Sequence, residues 1–486
     1  MAVPGEPTII PILARPASAA AAEQGRTCGG DDVAIDLDGL FPHSEEIIRR
    51  TVRSFEDALI DIWASSGDAA KPREAAEVGL DVPAGPRELA DVVSELRRHM
   101  LPACLNTTHP GCVAHMDTLP TLAAAVCESI TASLNNNMLF AELSPAFTTM
   151  ERELLRWFAA RFRLPDGAGG TMTSGGSLAN LLAVLLARHR FDPAVRESGW
   201  THGDRAVVLA SDAVHASIPK AVMALGMGRQ ALVKVRSDAE GRLSIDALAE
   251  ALRKLPREGR RGFMVVAVAG TTVTGATDDL SAIGRLCREH GVWFHVDAAY
   301  GGAVVFSAKH RPLLTGIELA DSITFNPQKW MYVPKAAAML LVRRPELLAE
   351  AVGVRMPYSN GSPFNFGDLS LQGTRPVDVL KVWLNLQLLG LSGIESLIDH
   401  TMSLGRHFAE RVERSVEFEL VSRGDLNICC FQPRDPAADP QAVRKRFLDR
   451  QGCLLSLPTF RGRRLLRAVL LNPRLTFEHI DRWLAG

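Results

Sequence analysis

The chain has 486 residues, of which 47% are hydrophobic and 22% are charged, and its formal net charge is −1. This composition is typical of a globular protein with enough length for two or three domains around a large core. The balance of charges leaves no basic field that would attract nucleic acid or an anionic membrane surface. No apolar run reaches the roughly 18 residues that a transmembrane helix needs.

The eight cysteines are scattered along the chain, without a C-x-x-C pair and without a zinc-ligand spacing. We therefore expect free thiols and no metal site. Adjacent Cys429 and Cys430 stand in an apolar run, which favours buried strand residues over a redox pair. With no recognisable signal peptide, these observations predict a cytoplasmic protein.

The first 118 residues contain no strand signal. Residues 1–34 are rich in Ala, Pro and Gly and are predicted to be a disordered tail; a targeting peptide is disfavoured because only two of these residues are basic. Residues 35–118 form a helical segment, with helices over Pro42–Ser66 and Pro86–Leu101. Their apolar faces need cover from the main domain or from another subunit.

A large domain is predicted over residues 119–372. The helix over Leu119–Asn135 is apolar on nearly all sides, so we expect it to lie centrally, and an amphipathic helix follows over Phe147–Arg163. The stretch Gly169–Ser177 then enters a helix that begins at Leu178. Its glycines and the free N–H groups of a first helical turn suit a phosphate, but it is neither G-x-G-x-x-G nor a Walker A loop.

Strands and helices alternate through the rest of this domain. The predicted strands are 205–210, 231–235, 263–269, 292–296, 322–325 and 337–342, and the predicted helices are 217–225, 244–255 and 280–290. Such alternation predicts an α/β fold with a mostly parallel central sheet and helices on both faces.

Residues 373–486 are predicted to form a smaller α+β domain. A long loop over 352–373 leads into it, and two helices follow at Arg375–Leu391 and Ile394–Arg414. Further strands are predicted at 418–421, 428–431, 453–457 and 465–470, with helices at 440–451 and 476–484.

Two strand ends carry the residues that point to chemistry. F-H-V-D-A-A-Y-G-G places Asp297 after one strand, and D-S-I-T-F-N-P-Q-K-W places Lys329 after the next. The carboxyl ends of parallel strands meet at one edge of a sheet, so Asp297 and Lys329 are predicted to share a pocket. An Asp facing a ring nitrogen and a Lys in Schiff-base linkage are what pyridoxal 5'-phosphate (PLP) requires. The rival lysines, Lys220 and Lys335, follow no comparable motif.

Several blocks together resemble the group II PLP-dependent amino-acid decarboxylases, which include the aromatic-L-amino-acid, glutamate, cysteine-sulfinate and 2,4-diaminobutyrate decarboxylases. The blocks are T-S-G-G-S-L-A-N from Thr173, S-D-A-V-H from Ser211, G-T-T from Gly270, H-V-D-A-A-Y from His295, N-P-Q-K-W from Asn326 and G-T-R from Gly373. The resemblance covers residue 40 to the end. It implies a PLP-dependent transferase-like fold (aspartate aminotransferase fold type I), a homodimer with shared active sites, and release of CO2 and an amine from an L-amino acid.

The resemblance also implies roles for individual residues. Lys329 holds the cofactor, Asp297 pairs with its ring nitrogen, and Ala299 and His215 cover the two ring faces. Thr272 hydrogen-bonds near the ring, and the phosphate is held by Ser174, Gly175 and Asn326. His215 and Gln328 orient the substrate carboxylate.

Two positions depart from the family or align loosely with it. Gln328 stands where many members have His, and an amide donates a hydrogen bond but does not titrate. Tyr358 is the only tyrosine of the long loop, and by position it matches the residue that reprotonates the substrate carbon. These two positions leave decarboxylation-dependent oxidative deamination, aminotransfer or another lyase step open as alternatives; intact Lys329 and Asp297 disfavour a pseudoenzyme.

Residues that would select the substrate are less sharply marked. His115 and Arg375 are the candidates for contact with it, and Arg375 has a structural contact as its other reading. A distal carboxylate of the substrate would suit His115, whereas a distal amine would suit Asp117. The sequence leaves that choice open.

Overall fold

The computed structural model describes residues 40–42, 44–64, 82–354 and 364–485. The predicted tail over 1–34 and the loop residue Tyr358 lie outside the described residues. Among the helices that are described, none is long and apolar enough to cross a membrane.

The N-terminal segment is helical, as predicted. Helix α1 spans Glu45–Ala64, and helix α2 spans Leu89–Glu95 and continues into a π-helical turn. Arg97, in that turn, donates to Asp61 at 2.7 Å and to Asp57 at 3.2 Å, which ties the two helices together.

A seven-stranded sheet in the strand order β1-β7-β6-β5-β4-β2-β3 forms the centre of the large domain. Its strands are β1 (Gly169–Thr173), β2 (Ala206–Ser211), β3 (Leu232–Val235), β4 (Arg261–Val268), β5 (Trp293–Asp297), β6 (Ser322–Phe325) and β7 (Ala338–Val342). Strands β3, β2, β4, β5 and β6 are parallel to one another, and β7 and β1 are antiparallel additions. The predicted fold class is therefore confirmed.

Strand β1 was not predicted, because its glycines suggest a loop and not a strand. The structure pairs it with β7, where the backbones approach so closely that a Cβ on Gly170 would lie 1.9 Å from the Leu340 carbonyl oxygen. Glycine therefore serves close backbone approach here, and the phosphate loop begins only after the strand ends.

Helices cover both faces of the sheet. They are α3 (Leu122–Leu134), α4 (Pro145–Arg161), α5 (Gly176–Phe191), α6 (Ser217–Ala224), α7 (Ile245–Lys254), α8 (Leu280–His290) and α9 (Glu346–Val352), besides shorter turns. Alternate residues of β2 enter different cores: Val207 and Leu209 pack on one face, Val208 and Ala210 on the other. This two-sided burial explains why the parallel strands read as continuous apolar runs.

The expectation that helix α3 lies centrally was wrong. Only Ala124 and Cys127 of this helix are buried. Four large apolar residues spaced four apart, Leu122, Val126, Ile130 and Leu134, are 46% to 53% exposed and form one stripe. An all-apolar helix needs cover on every side, and in the single chain this stripe has none.

The C-terminal unit begins with helix α10 (Val379–Arg414), which is interrupted at Gly390, where φ is 58° and ψ is −179°. The two predicted helices meet at this kink. A small antiparallel sheet in the order β12-β9-β8 follows. Its strands are β8 (Phe418–Ser422), β9 (Ile428–Pro433) and β12 (Leu466–Val469). A separate two-stranded ribbon consists of β10 (Thr459–Phe460) and β11 (Arg463–Arg464). The remaining helices of this unit are α11 (Pro440–Gln451) and α12 (Phe477–Leu484).

Two further details concern the predicted strands of this unit. The strand expected at 453–457 makes only isolated bridges, of Leu454 to Cys112 and of Ser456 to Arg467. Cys429 and Cys430 lie in β9 and are fully buried, with free thiols.

Candidate active site

The carboxyl ends of β4, β5 and β6 and the first turn of α5 enclose a cavity of about 410 Å³. All nine predicted cofactor residues line it: Ser174, Gly175, His215, Thr272, Asp297, Ala299, Asn326, Gln328 and Lys329. A larger groove, of about 860 Å³, runs along α4 beside Trp383, but it contains none of these residues. The chemistry of the lining side chains, and not the volume, identifies the site.

Lys329 is a buried amine without a carboxylate in contact. Its Nζ has a single close polar neighbour among the described residues, the Met116 sulfur at 3.9 Å. Burial lowers the pKa of Lys329, and the more distant carboxylates of Asp297 and Asp117 oppose this shift. A lysine with a lowered pKa offers more of the neutral amine, which is the form that attacks an aldehyde.

Asp297 is fixed by its neighbours at the end of β5. Its Oδ2 accepts a hydrogen bond from Asn180 Nδ2 at 2.8 Å, and its Oδ1 accepts from the Ala299 N–H at 3.2 Å. Asn180 comes from helix α5, so this bond joins the phosphate-side helix to the strand that carries the carboxylate. The side chain is 5% exposed, so it presents a nearly dry anion to the cavity.

Asn180 is itself held from behind. Its Oδ1 accepts from Thr324 Oγ1 at 2.7 Å and from His295 Nε2 at 3.0 Å. The other ring nitrogen of His295 accepts from Ser322 Oγ at 2.8 Å. Burial lowers the pKa of His295 to about 4, so the ring is neutral and has one N–H. Because Asn180 Nδ2 faces the Asp297 carboxylate, Asn180 Oδ1 faces His295 Nε2, which places that N–H on Nε2. The amide orientation, and with it the donor to Asp297, is therefore determined.

The same network sets the tautomer of His215. Ser217 donates its backbone N–H to His215 Nδ1 at 3.2 Å, and its hydroxyl lies 2.9 Å from the same nitrogen. That hydroxyl accepts from Asn180 Nδ2 at 2.8 Å. Burial lowers the pKa of His215, which keeps the ring neutral. Its proton is then on Nε2, and Nε2 is left to donate.

The first turn of α5 offers a phosphate site. Gly175 has φ 149° and precedes the helix, where a Cβ would meet nothing within 4 Å, so the space in front of the turn is open. Asn326 lies against Gly176, and its Oδ1 is buried with no partner among the described residues. Free N–H groups and the helix dipole fit a phosphate dianion, and Asn326 could add a donor to such a group only through its Nδ2. Among the described residues, no arginine lines this cavity.

Gln328 is anchored on one side only. Its Oε1 accepts the Ala337 N–H at 2.6 Å. This bond assigns the oxygen, so the Nε2 amide is the group that remains for the cavity. Gln328 can thus donate to an anionic oxygen, but it has no titratable proton to transfer.

The predicted substrate residues are not brought into the cavity lining. His115 is exposed, next to Met116, which does line the cavity. Asp117 pairs with Lys335 at 2.5 Å. Arg375 makes a buried bidentate contact with Glu151, with one distance of 2.8 Å, so it is engaged structurally and is not a solvated helix end.

Sequence reasoning missed two lining residues that matter for the site. Asn180 belongs to the Thr173 block but had received no role; a buried polar residue four positions into an apolar helix was the available signal. No sequence pattern assigned a role to Met116, although its neighbour His115 was a substrate candidate. Its position depends on the loop 111–114, where the Leu454 N–H bonds the Gly111 carbonyl at 2.8 Å, and no local pattern predicts that contact.

Comparison with known proteins agrees with the site. The family model of the pyridoxal-dependent decarboxylase conserved domain matches residues 72–434, and the chain belongs to this family. It is similar to L-2,4-diaminobutyrate decarboxylase of Rhizobium meliloti, at 30% identity over 93% of both chains. It is also similar to the human acidic amino acid decarboxylase GADL1, at 28% identity over 80% of this chain and 78% of that one. The crystal structure of mouse CSAD superposes with a TM-score of 0.84, at 27% identity over 91% of this chain and 98% of that one.

The chain is thus a PLP-dependent L-amino-acid decarboxylase, which releases CO2 and the corresponding amine. Bound PLP supplies an electron sink that accepts the electrons of the broken C–C bond. The protein has to orient the scissile bond perpendicular to the ring, keep water away and deliver a proton. The donors His215 Nε2 and Gln328 Nε2 are the groups available to orient the substrate carboxylate.

Lys329→Ala is expected to abolish covalent attachment of PLP, because this amine alone among the rival lysines lines the cavity. Borohydride reduction followed by intact-mass measurement should show the cofactor mass on the wild-type chain and none on the variant. Lys220→Ala and Lys335→Ala are the matched controls and should retain it. Attachment that persists in Lys329→Ala would refute the assignment.

Asn180→Ala should weaken PLP binding and lower kcat, each by about 10- to 100-fold, because it removes a donor to Asp297 and leaves buried His295 and Thr324 donors unsatisfied, at about 1–3 kcal/mol. Cofactor titration by visible absorbance and steady-state kinetics measure both effects. Ser217→Ala removes the hydroxyl beside His215 and one of the two acceptors of Asn180 Nδ2, but it leaves the Asn180–Asp297 bond, so it should change PLP affinity less. Equal losses in the two variants would argue against the Asp297 contact as the cause.

Proposed function

We propose that this decarboxylase acts on a small L-amino acid with an acidic side chain, and that Lys329 is the lysine that binds PLP. The charge distribution beside Met116 carries the substrate proposal. Three cations, Arg467, Arg444 and Lys335, and only one carboxylate, Asp117, act on His115, and the cations add to the effect of burial in lowering the pKa of His115. A net positive field next to the cavity favours an anionic group on the substrate.

Arg467 is the strongest support, since it is buried and contacts no carboxylate in the part of the chain that the structure describes. Its guanidinium donates to Ser456 Oγ at 2.9 Å, to the Ala114 carbonyl at 2.9 Å and to the Thr272 carbonyl. All three acceptors are neutral, and burying an unpaired cation is costly. The carboxylate of an acidic substrate would supply a countercharge to this region when it binds.

A second candidate substrate is a small L-amino acid with a distal amine. Asp117 is its supporting residue, because a distal ammonium group could replace Lys335 as the partner of that carboxylate. The named relatives support both candidates: one is called an acidic amino acid decarboxylase and another an L-2,4-diaminobutyrate decarboxylase.

A substrate panel tests the proposal. Holoenzyme is given L-aspartate, L-glutamate, L-2,4-diaminobutyrate and L-tryptophan in air, while CO2, O2 uptake and product mass are measured. We expect the highest kcat/KM with an acidic amino acid.

The Lys335→Met variant should raise the KM for the acidic amino acid about two- to fivefold, which is the range for an exposed ion pair. The Asp117→Asn variant should lower that KM.

The control for these variants is Lys309→Met, which removes an exposed lysine that does not line the cavity; its KM should equal that of the wild type. Turnover of the diamino acid alone would contradict the acidic substrate and select the second candidate. O2 uptake with an aldehyde product would contradict simple decarboxylation.

Tyr358 is proposed as the proton donor to the substrate carbon, from its sequence position in the loop predicted over 352–373. Tyr358→Phe should then raise the yield of aldehyde relative to amine, because slower protonation of the substrate carbon leaves more time for reaction with O2. Product mass spectrometry measures the ratio. An unchanged ratio would refute this role.

The active enzyme is proposed to be a homodimer. The exposed stripe of α3 supports this, together with exposed apolar residues of α1 such as Ile48, Val52 and Ile60. Exposed apolar surface of this extent is typical of an interface, and a second copy of the chain is the partner that the family resemblance implies.

Ile130→Glu should convert the dimer to monomer and reduce activity, because it places a charge in the centre of the stripe. Analytical ultracentrifugation and light scattering measure the mass. Val416→Glu is the control, since Val416 is 89% exposed and lies outside the helical segment. A wild-type chain that sediments as a monomer would contradict the proposal.

A cytoplasmic location is also proposed. The seven described cysteines all have free thiols, which suits a reducing compartment. Recovery of the native protein in a secreted or membrane fraction would contradict it.

A further inference from the structure

A second cavity, of about 580 Å³, opens at the opposite edge of the seven-stranded sheet from the cofactor site. The starts of β4 and β5, the last turns of α5 and α8 and the residues after β7 enclose it. Five arginines line it: Arg190, Arg261, Arg288, Arg343 and Arg344. We refer to it as the arginine cavity.

None of these arginines contacts a carboxylate among the described residues. Arg343 donates to the backbone carbonyls of Ala320, at 3.0 Å, and Glu318. The guanidinium of Arg261 lies 5.3 Å from the ring centre of Phe191. For the remaining three arginines, no side-chain hydrogen bond or ion pair is found within the described ranges.

Asp321 is the one carboxylate in the lining. Its Oδ2 accepts the Phe294 N–H at 2.8 Å, so one lone pair is already used by the backbone. Arg343, Arg344 and Arg190 all act on this carboxylate electrostatically. One anion is therefore shared among several cations.

Stabilisation of helix ends does not account for the cluster. Arg190 and Arg288 stand in the last turns of α5 and α8, where a cation offsets the helix dipole. Each helix end carries only about half a negative charge. Two helix ends and Asp321 together offset about two of the five charges, so about three positive charges have no fixed countercharge in the lining. Arg343 is half-buried, and the other four arginines are exposed, so solvent hydrates their charges.

We propose that the arginine cavity binds a small anion that carries two or more phosphate groups. Guanidinium groups bind phosphate oxygens bidentately, and the volume lies within the roughly 300–1,000 Å³ of small-molecule sites. One phosphate group, with about two negative charges, leaves part of the excess unmatched. The cofactor cavity differs, since its candidate phosphate site is a helix N-terminus and none of its described lining residues is an arginine.

Isothermal titration of the PLP-loaded enzyme with inorganic triphosphate, without divalent cations, tests the proposal. PLP saturates the cofactor cavity, and its visible band should not change during the titration. We expect 1:1 binding in the micromolar range at physiological salt. Orthophosphate should bind about tenfold or more weakly.

Two variants with opposite expected effects make the test specific. Arg190→Gln combined with Arg344→Gln should weaken triphosphate binding by about tenfold or more. Asp321→Asn should strengthen it, because the amide oxygen can still accept the Phe294 N–H while the negative charge is removed. Decarboxylation and thermal unfolding, measured on the same samples, should stay near wild type.

Arg253→Gln combined with Arg257→Gln is the matched control, since it removes the same charge from exposed positions outside the cavity; its affinity should stay within about twofold of wild type. Absence of binding, equal weakening by the two double variants, or equal affinity for orthophosphate would each overturn the proposal.

Discussion

The hydrogen bond from Asn180 to Asp297 is the contact on which the rest of the site depends. A carboxylate at 5% exposure is costly unless donors hold it. Asn180 supplies one donor, and its own orientation is fixed by Thr324 and neutral His295. Because Asn180 belongs to α5 and Asp297 to β5, this bond also fixes the helix that presents the phosphate turn relative to the strand that faces the ring.

Burial and nearby charges set the protonation states of the side chains that line the cavity. Lys329 is buried without a carboxylate in contact among the described residues. Burial therefore lowers its pKa and favours the neutral amine, which is the form that attacks an aldehyde. Burial lowers the pKa of His215 and favours the neutral ring, and the Ser217 N–H bonds its Nδ1, so the proton is on Nε2. Behind Thr272, a lining residue, buried Arg467 has no carboxylate in contact within the described ranges. A dry site strengthens each of these electrostatic effects compared with water.

The two cavities show how a parallel sheet presents two different edges. At the carboxyl ends of the strands, helix N-termini and polar loops converge, and the cofactor site forms there. At the amino ends, helix C-termini converge, where basic side chains accumulate. In the arginine cavity, the positive charge of the five arginines exceeds the negative charge of the two helix ends and Asp321. Stabilisation of helix ends alone therefore does not explain this cluster.

Much of the fold was determined by local sequence. The apolar runs of β2, β4, β5 and β6 and the periodicity of α8 and α11 predict those elements, because burial on both faces and helical spacing leave a clear pattern. The gathering of the nine predicted cofactor residues around one cavity could also be predicted, since strand ends in an open α/β sheet converge by topology. β1 could not be predicted, because a glycine-rich strand is selected by close pairing with β7 and not by its own propensity.

Tertiary structure decided what depends on distant partners. The exposed stripe of α3 has the same sequence signature as a buried helix, and only the packed chain distinguishes them. Arg375 could have faced a substrate, but Glu151 from another helix engages it. The surroundings of Asn180, Arg467 and the arginine cavity likewise depend on residues more than a hundred positions away in the chain. The sequence thus determined which reactive side chains follow the ends of the strands, and three-dimensional packing decided which of the charged groups are paired.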